Sequence, residues 1–128
     1  TALLSGDLPV RDLPSAWNES SRKWLGIVPA TVNDGCLQDV HWAGASLGYF
    51  PTYTIGNLYA AQLAETYAAR ADLDAELASG NLRPLRDWLA DHVYRWGCRL
   101  EAEEIIRQAT GRGLDADAFF RHLAAKFS

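Results

Sequence analysis

Apolar residues recur every three or four positions along most of the chain, which is the period of an amphipathic α-helix. The longest such pattern begins at about Pro51 or Thr52 and predicts a helix as far as about Arg70. Its repeating stripe consists of Ile55, Leu58, Tyr59, Gln62, Leu63, Thr66 and Tyr67. Alanines occupy the other side of this helix, so neighbouring backbones can come close. We therefore expect the helix to be buried on most sides.

Glycine follows most of the other predicted helices, where its left-handed backbone conformation can end a helix. These helices are the first residues up to Gly6, SAWNESSRKWL before Gly26, DLDAELAS before Gly80, the stripe from Leu85 to Trp96 before Gly97, and EAEEIIRQAT before Gly111. Pro84 suits a first helical turn, and Asp115 is predicted to cap a last helix that extends through Phe127. Because alternating strand patterns are almost absent, the predicted fold is all-α, with residues 1–128 as a single helical region.

Composition and charge narrow the class of protein. Hydrophobic residues make up 48% and charged residues 22% of the 128 residues, which is typical of a folded globular protein. The net charge of -4 argues against a nucleic-acid partner, and no apolar run of about 18 residues predicts a membrane span. Cys36 and Cys98 lie far apart and are expected to be reduced, partly buried thiols of a cytoplasmic protein. The sequence lacks Met and starts like the end of a helix, so we expect it to begin inside a longer protein.

One segment, Gly35 to Ala64, is unusually poor in charge. Its only formally charged residue is Asp39, although the chain has 12 Lys and Arg and 16 Asp and Glu. Such a segment is expected to be buried, to line a cavity, or to face another part of a larger protein. We expect a short helical turn around Leu37 to Trp42 and then a loop, AGASLG. The polar and phenolic residues of the segment are Gln38, Asp39, His41, Asn57, Gln62, Tyr49, Tyr53 and Tyr59, and this mixture is typical of a ligand pocket.

The residues alone leave several interpretations of these side chains open. A single histidine such as His41 is more often a hydrogen-bonded core residue than a ligand or a catalyst, and Asp39 could hold either His41 or a helix end. His92 is predicted to pack in an aromatic stripe, and His122 is predicted to lie on a helix surface. No HExxH, GxSxG, P-loop or GxGxxG motif occurs, and the three histidines are isolated from one another. A nucleophile pair of Cys36 and His41 is disfavoured because their spacing would place them on different faces of a helix.

A specific motif then suggests a family. GCLQDVHW, at residues 35–42, matches the pattern GxxQDxHW, and GYFPTY follows at residues 48–53. Together with DLPSAWNES and WLG before them, and GYFPTYTIGNLYAAQL and RQATGRGLDADAFF after them, these segments resemble the thermostable zinc metallocarboxypeptidases (carboxypeptidase Taq type) over nearly the whole chain. The resemblance implies a much longer, almost wholly helical enzyme. Its zinc ligands, HExxH and a downstream Glu, and its carboxylate-binding arginines precede the matched region, so this chain is expected to be the C-terminal portion, without a metal site and inactive alone.

The same resemblance implies roles for individual residues. In such enzymes zinc activates a water, the Glu of HExxH acts as general base, and the oxyanion needs preorganised donors. By resemblance those donors are His41 with either Tyr49 or Tyr53, and Asp39 orients His41. Residues that resemblance places at the substrate groove are Gln38 and Trp42.

The implied partners are a peptide substrate, the remainder of the same polypeptide and a second copy in a homodimer. The charge-poor segment would form one wall of a deep cleft, and isolating it should expose apolar surface. Two other functions stay open on the sequence. One is a stand-alone helical binding or interaction module, and the other is a metal-independent hydrolase that uses Cys36.

Overall fold

The computed structural model describes residues 1–41 and 43–128, and helices dominate both ranges. The α-helices of these residues are α1 (Ala2–Ser5), α2 (Leu13–Leu25), α3 (Pro51–Ala68), α4 (Leu73–Ser79), α5 (Arg83–His92), α6 (Ala102–Thr110) and α7 (Asp117–Phe127). Single 3₁₀ turns occur at Val10–Asp12, Cys36–Gln38 and Tyr94–Trp96. Because these ranges contain no strand, the predicted all-α class is confirmed. No helix in them is both long and apolar enough to cross a membrane.

Most predicted helix ends are confirmed. The glycines that follow α1, α2, α4 and α6 have φ between 71° and 82°, the left-handed conformation expected of a helix stop. At the start of α4 the side chain of Asp72 accepts the N–H of Ala75 at 3.0 Å. Asp115 lies one residue before the cap of α7 rather than at it, but its carboxylate still accepts the N–H of Asp117 at 2.9 Å.

Two predicted elements differ from the structure. The stripe from Leu85 to Trp96 is divided, because α5 ends at His92 and Val93, with φ −119° and ψ −62°, separates it from the 3₁₀ turn. A β-branched residue such as Val93 leaves helical geometry comparatively easily. The turn predicted around residues 37–42 lies instead at Cys36–Gln38. Its predicted last residue, Trp42, lies outside the described residues.

The chain divides into two compact units, Thr1–Pro51 and Thr52–Ser128. That the two units form the single helical region expected from the sequence stays a prediction. Among the described residues of the first unit, Cys36 is the only apolar residue whose side chain is buried. Trp24, Leu25 and Ile27 are more than 60% exposed. Leu37, Val40 and Phe50, which belong to the charge-poor segment Gly35 to Ala64, are also exposed, so the exposed apolar surface expected of that segment is confirmed. Both cysteines are free thiols, and the expectation of partial burial is wrong for Cys98, which is exposed.

The second unit has its core around Tyr67 and Trp88. Their rings lie 5.5 Å apart, and His92 stacks on Trp88 at 4.7 Å, which confirms the packing role predicted for His92. The Tyr67 hydroxyl donates to the carboxylate of Glu76 at 2.8 Å, and burial followed by this carboxylate raises the pKa of Tyr67. The other buried apolar residues of this unit are Ile106, Ala109 and Ala118.

Burial of α3 is much less complete than the sequence predicts. Only Gln62 and Tyr67 are buried in this helix, and residues 51–57 are exposed. The described hydrogen bonds and ring contacts of this helix to later elements come from its C-terminal half.

A fully buried amide joins α3 to the loop between α6 and α7. Gln62, with no exposed surface, donates to the carbonyl of Gly113 at 2.9 Å and accepts the N–H of Asp115 at 2.9 Å. These two bonds close separations of 51 and 53 residues along the chain. A buried amide without hydrogen-bond partners is costly, so these two bonds favour the loop position at which Gly113 and Asp115 meet Gln62.

An ion-pair network reinforces the same junction at the surface. Glu65, one turn after Gln62, accepts hydrogen bonds from Arg112 and from Arg121, whose Nε lies 2.8 Å from its carboxylate. Asp115 also lies 3.3 Å from the Arg112 guanidinium. The bond from Arg121, followed by that from Arg112, holds the pKa of Glu65 below its ordinary value, against partial burial. Exposed pairs of this kind contribute about 1 kcal/mol or less each, so the buried amide is the stronger constraint.

We expect Gln62→Leu to lower the free energy of unfolding by about 2 kcal/mol, because the Gly113 carbonyl and the Asp115 N–H lose their partner while the apolar volume is kept. Gln108→Leu is the matched control, since Gln108 is exposed, and it should change this free energy by less than about 0.5 kcal/mol. Chemical denaturation measures both values. Equal losses in the two variants would contradict the role given to Gln62.

Candidate functional site

The segment GCLQDVHW begins in a locally braced loop. A Cβ on Gly35 would lie 3.3 Å from Cβ of Pro29, a distance tighter than ordinary contact, so glycine permits this close approach. Two residues beyond Cys36, the side-chain amide of Gln38 donates to the carbonyl of Asn33 at 2.5 Å. The backbone that enters the candidate site is therefore held by contacts within a few residues of it.

Asp39 and His41 form a pair through one carboxylate oxygen. Oδ1 of Asp39 accepts the backbone N–H of His41 at 2.9 Å and lies 2.5 Å from Nδ1 of its ring. The backbone bond is the largest cause of the lowered pKa of Asp39. Partial burial opposes this effect, and the bond to the His41 ring and its charge add to it. Since an ionised carboxylate only accepts, Nδ1 is the donor in this pair.

Two aromatic rings lie against the His41 ring. The centroid of the Tyr49 ring is 5.4 Å away, and that of Phe50 is 5.5 Å away in an edge-on arrangement. The N–H of Ser46 donates to the His41 carbonyl at 3.0 Å, and this bond folds the loop back towards His41. Ala45 within this loop has φ 56°, a left-handed conformation that costs a non-glycine residue about 1 kcal/mol. Strained residues of this kind concentrate at functional sites.

The structure brings three of the predicted site residues together, namely Asp39, His41 and Tyr49. Tyr53 lies in the first turn of α3, in the second unit, and Trp42 lies outside the described residues. Phe50 also joins the site but was not singled out from the sequence. The available signal was its position in GYFPTY, directly after Tyr49.

A cavity of about 580 Å³ lies beside this cluster and shares two residues with it, Asp39 and Phe50. Its other lining residues include Leu3, Leu4, Trp17 and Leu47, so Asp39 borders a largely apolar hollow. The described residues contain no group of three His, Cys, Asp or Glu side chains placed to hold a metal ion. What the arrangement offers chemically is an imidazole fixed in orientation by a carboxylate, with a phenol next to it.

The pKa of Asp39 should rise in His41→Ala but stay below the ordinary value of 3.8, because alanine keeps the backbone N–H that is the largest single cause of the lowered pKa. NMR titration of the Asp39 carboxyl carbon measures this change. Thr31→Val is the control and should leave the pKa of Asp39 unchanged, because the Thr31 hydroxyl donates to Asp34. A full return to 3.8 in His41→Ala would contradict the dominance of the backbone bond.

Comparison with known proteins places this arrangement in a family. The chain is 41% identical over 128 residues to carboxypeptidase 1 of Bacillus subtilis, which covers 99% of this chain and 26% of that protein. It is also 41% identical to thermostable carboxypeptidase 1 of Thermus thermophilus, over 99% of this chain and 25% of that protein. The solved structure of Trypanosoma cruzi metallocarboxypeptidase 1 matches with a TM-score of 0.89 at 33% identity, over 98% of this chain and 27% of that one.

The chain thus spans about a quarter of the length of the relatives that it matches. The sequence profile of carboxypeptidase Taq (M32) metallopeptidases matches residues 1–127. The resemblance that GCLQDVHW carries is confirmed, and the chain belongs to the carboxypeptidase Taq (M32) metallopeptidase family.

Proposed function

We propose that this chain is the C-terminal portion of a zinc-dependent metallocarboxypeptidase that removes single amino acids from the C-termini of peptides, and that it contributes His41 to the reacting centre. The observation that carries the proposal is the Asp39 carboxylate, which fixes the His41 ring within the motif that marks the family. The match to metallocarboxypeptidases over 98–99% of the chain favours this function over a stand-alone binding module.

His41 would stabilise the oxyanion that forms when the peptide carbonyl is attacked. Its Nε2 can donate a hydrogen bond to that oxygen when the ring is charged, and the neighbouring Asp39 carboxylate compensates this charge. The phenol of Tyr49 is the second donor that we propose, because its ring lies against that of His41. Asp39 is a positioning residue, since it acts through His41.

The metal of such an enzyme is not held by the residues described here. They provide no cluster of three metal-ligating side chains, and the sequence contains no HExxH motif, so these residues do not fit a zinc ion. We propose that the zinc ligands belong to the rest of the enzyme. Gln38 and Trp42 at the substrate groove, a homodimeric assembly and a cytoplasmic location are proposed on the family resemblance alone.

His41→Ala in the whole enzyme should lower kcat by about a hundredfold or more, which is the usual cost of losing one oxyanion donor. The loss should fall on kcat rather than on KM. Asp39→Asn should lower kcat by a smaller factor, also with little change in KM. His122→Ala is the control, because His122 is exposed on α7, as predicted, and should leave turnover unchanged. Steady-state kinetics on a short peptide decide the matter, and an unaltered kcat in a folded His41→Ala enzyme would remove the proposed role.

Comparing Tyr49→Phe with Tyr53→Phe identifies the second donor. Each substitution removes one hydroxyl and keeps the ring, so packing is largely preserved. We expect Tyr49→Phe to lower kcat by at least about tenfold and Tyr53→Phe to have the smaller effect, since the Tyr49 ring lies 5.4 Å from the His41 ring. The reverse order in the same kinetic assay would transfer the role to Tyr53.

A further inference from the structure

A second cavity, of about 440 Å³, lies in the second unit at the C-terminal end of α5. It is lined by Asp91, His92, Arg95, Trp96 and Gln108. Four of these five side chains are polar or charged, in contrast to the apolar hollow beside Asp39. The residues come from the end of α5, the 3₁₀ turn after it, and α6. The proposed peptidase function uses none of them.

The two charged residues of this cavity are not neutralised by each other. Asp91 and Arg95 are four residues apart, a spacing at which opposite charges on a helix normally pair. Glu103 and Arg107 on α6 do pair at this spacing, at 2.8 Å, but no ion pair joins Asp91 or Arg95 to any residue in the described ranges. The physical reason is the break of the helix at Val93, which takes Arg95 out of the helical register of Asp91.

Two of the lining side chains are already held in place. The Arg95 guanidinium lies over the Trp96 ring, 5.0 Å from its centroid. The His92 ring is fixed by stacking on Trp88 and by its Nδ1, which lies 2.8 Å from the Trp88 carbonyl. Because a carbonyl only accepts, Nδ1 donates and Nε2 remains for a further partner. Groups held in this way lose little freedom when a ligand binds.

We propose that this cavity binds a free α-amino acid. Such a molecule carries an ammonium and a carboxylate on the same carbon atom, which complements one unpaired carboxylate and one unpaired guanidinium that line the same cavity. Asp91 would accept from the ammonium, Arg95 with the amide of Gln108 would hold the carboxylate, and the Trp96 ring would lie against the ligand side chain. The charges alone select this ligand, so the proposal is independent of the peptidase function.

Isothermal titration calorimetry of the whole protein with leucine tests this site. We expect Arg95→Gln and Asp91→Asn each to weaken leucine binding by about tenfold or more, because each removes one charged partner. Arg83→Gln is the matched control, since Arg83 is an exposed arginine at the start of α5 and does not line the cavity, and it should leave the affinity unchanged. His41→Ala should also leave it unchanged, which separates this cavity from the candidate peptidase site.

Two leucine derivatives test the zwitterion requirement. N-acetyl-leucine lacks the ammonium and leucinamide lacks the carboxylate, so both should bind at least about tenfold more weakly than leucine. Equal affinity for leucine and N-acetyl-leucine would mean a simple anion site and would overturn the proposal. An absence of leucine binding at millimolar concentration, or an affinity that survives both Arg95→Gln and Asp91→Asn, would overturn it as well. No outcome depends on turnover, so failure of the peptidase proposal leaves this test intact.

Discussion

The candidate site depends on one oxygen of Asp39 that accepts two hydrogen bonds from His41. By taking the backbone N–H of His41, Oδ1 satisfies a group that a continuing helix would have used, and Asp39 itself adopts an extended conformation with φ −78° and ψ 99°. The same oxygen then fixes the His41 ring through Nδ1. A single short side chain therefore ends the 3₁₀ turn, orients the imidazole and keeps its own charge.

This interaction also explains why the predicted turn is misplaced. Residues 37–42 have apolar positions suited to a helical turn, but Asp39 competes for the backbone N–H groups that a helix needs, and the turn stops at Gln38. A propensity argument weighs each residue separately, whereas this outcome depends on one side chain bonding two residues ahead. Helix stops at glycine were predictable because they need only the residue itself to adopt positive φ.

Burial was less predictable than helix position. The period of α3 correctly identifies a stripe that includes Gln62 and Tyr67, but the pattern cannot reveal how much partner surface the chain supplies. The first unit shows the same effect, with large apolar side chains such as Trp24 and Leu25 exposed. For the site, the motif indicated Asp39 and His41, and spacing alone left Tyr49 and Tyr53 equivalent. Only the return of the chain through Ser46 brings Tyr49 and its neighbour Phe50 to the His41 ring.

The two units differ in how far along the sequence their decisive bonds extend. Among the bonds described at the His41 site, those between Gln38 and Asn33 and between Ser46 and His41 join residues five positions apart. Gln62, in contrast, bonds residues 51 and 53 positions away. A site whose bonds join residues close together in the sequence is encoded by a short run of residues. It can therefore be recognised as a motif, and it needs little burial. A geometry built across the chain appears only once the helices have packed, which is why the sequence could place Gln62 on the stripe of a helix expected to be buried but could not name its partners.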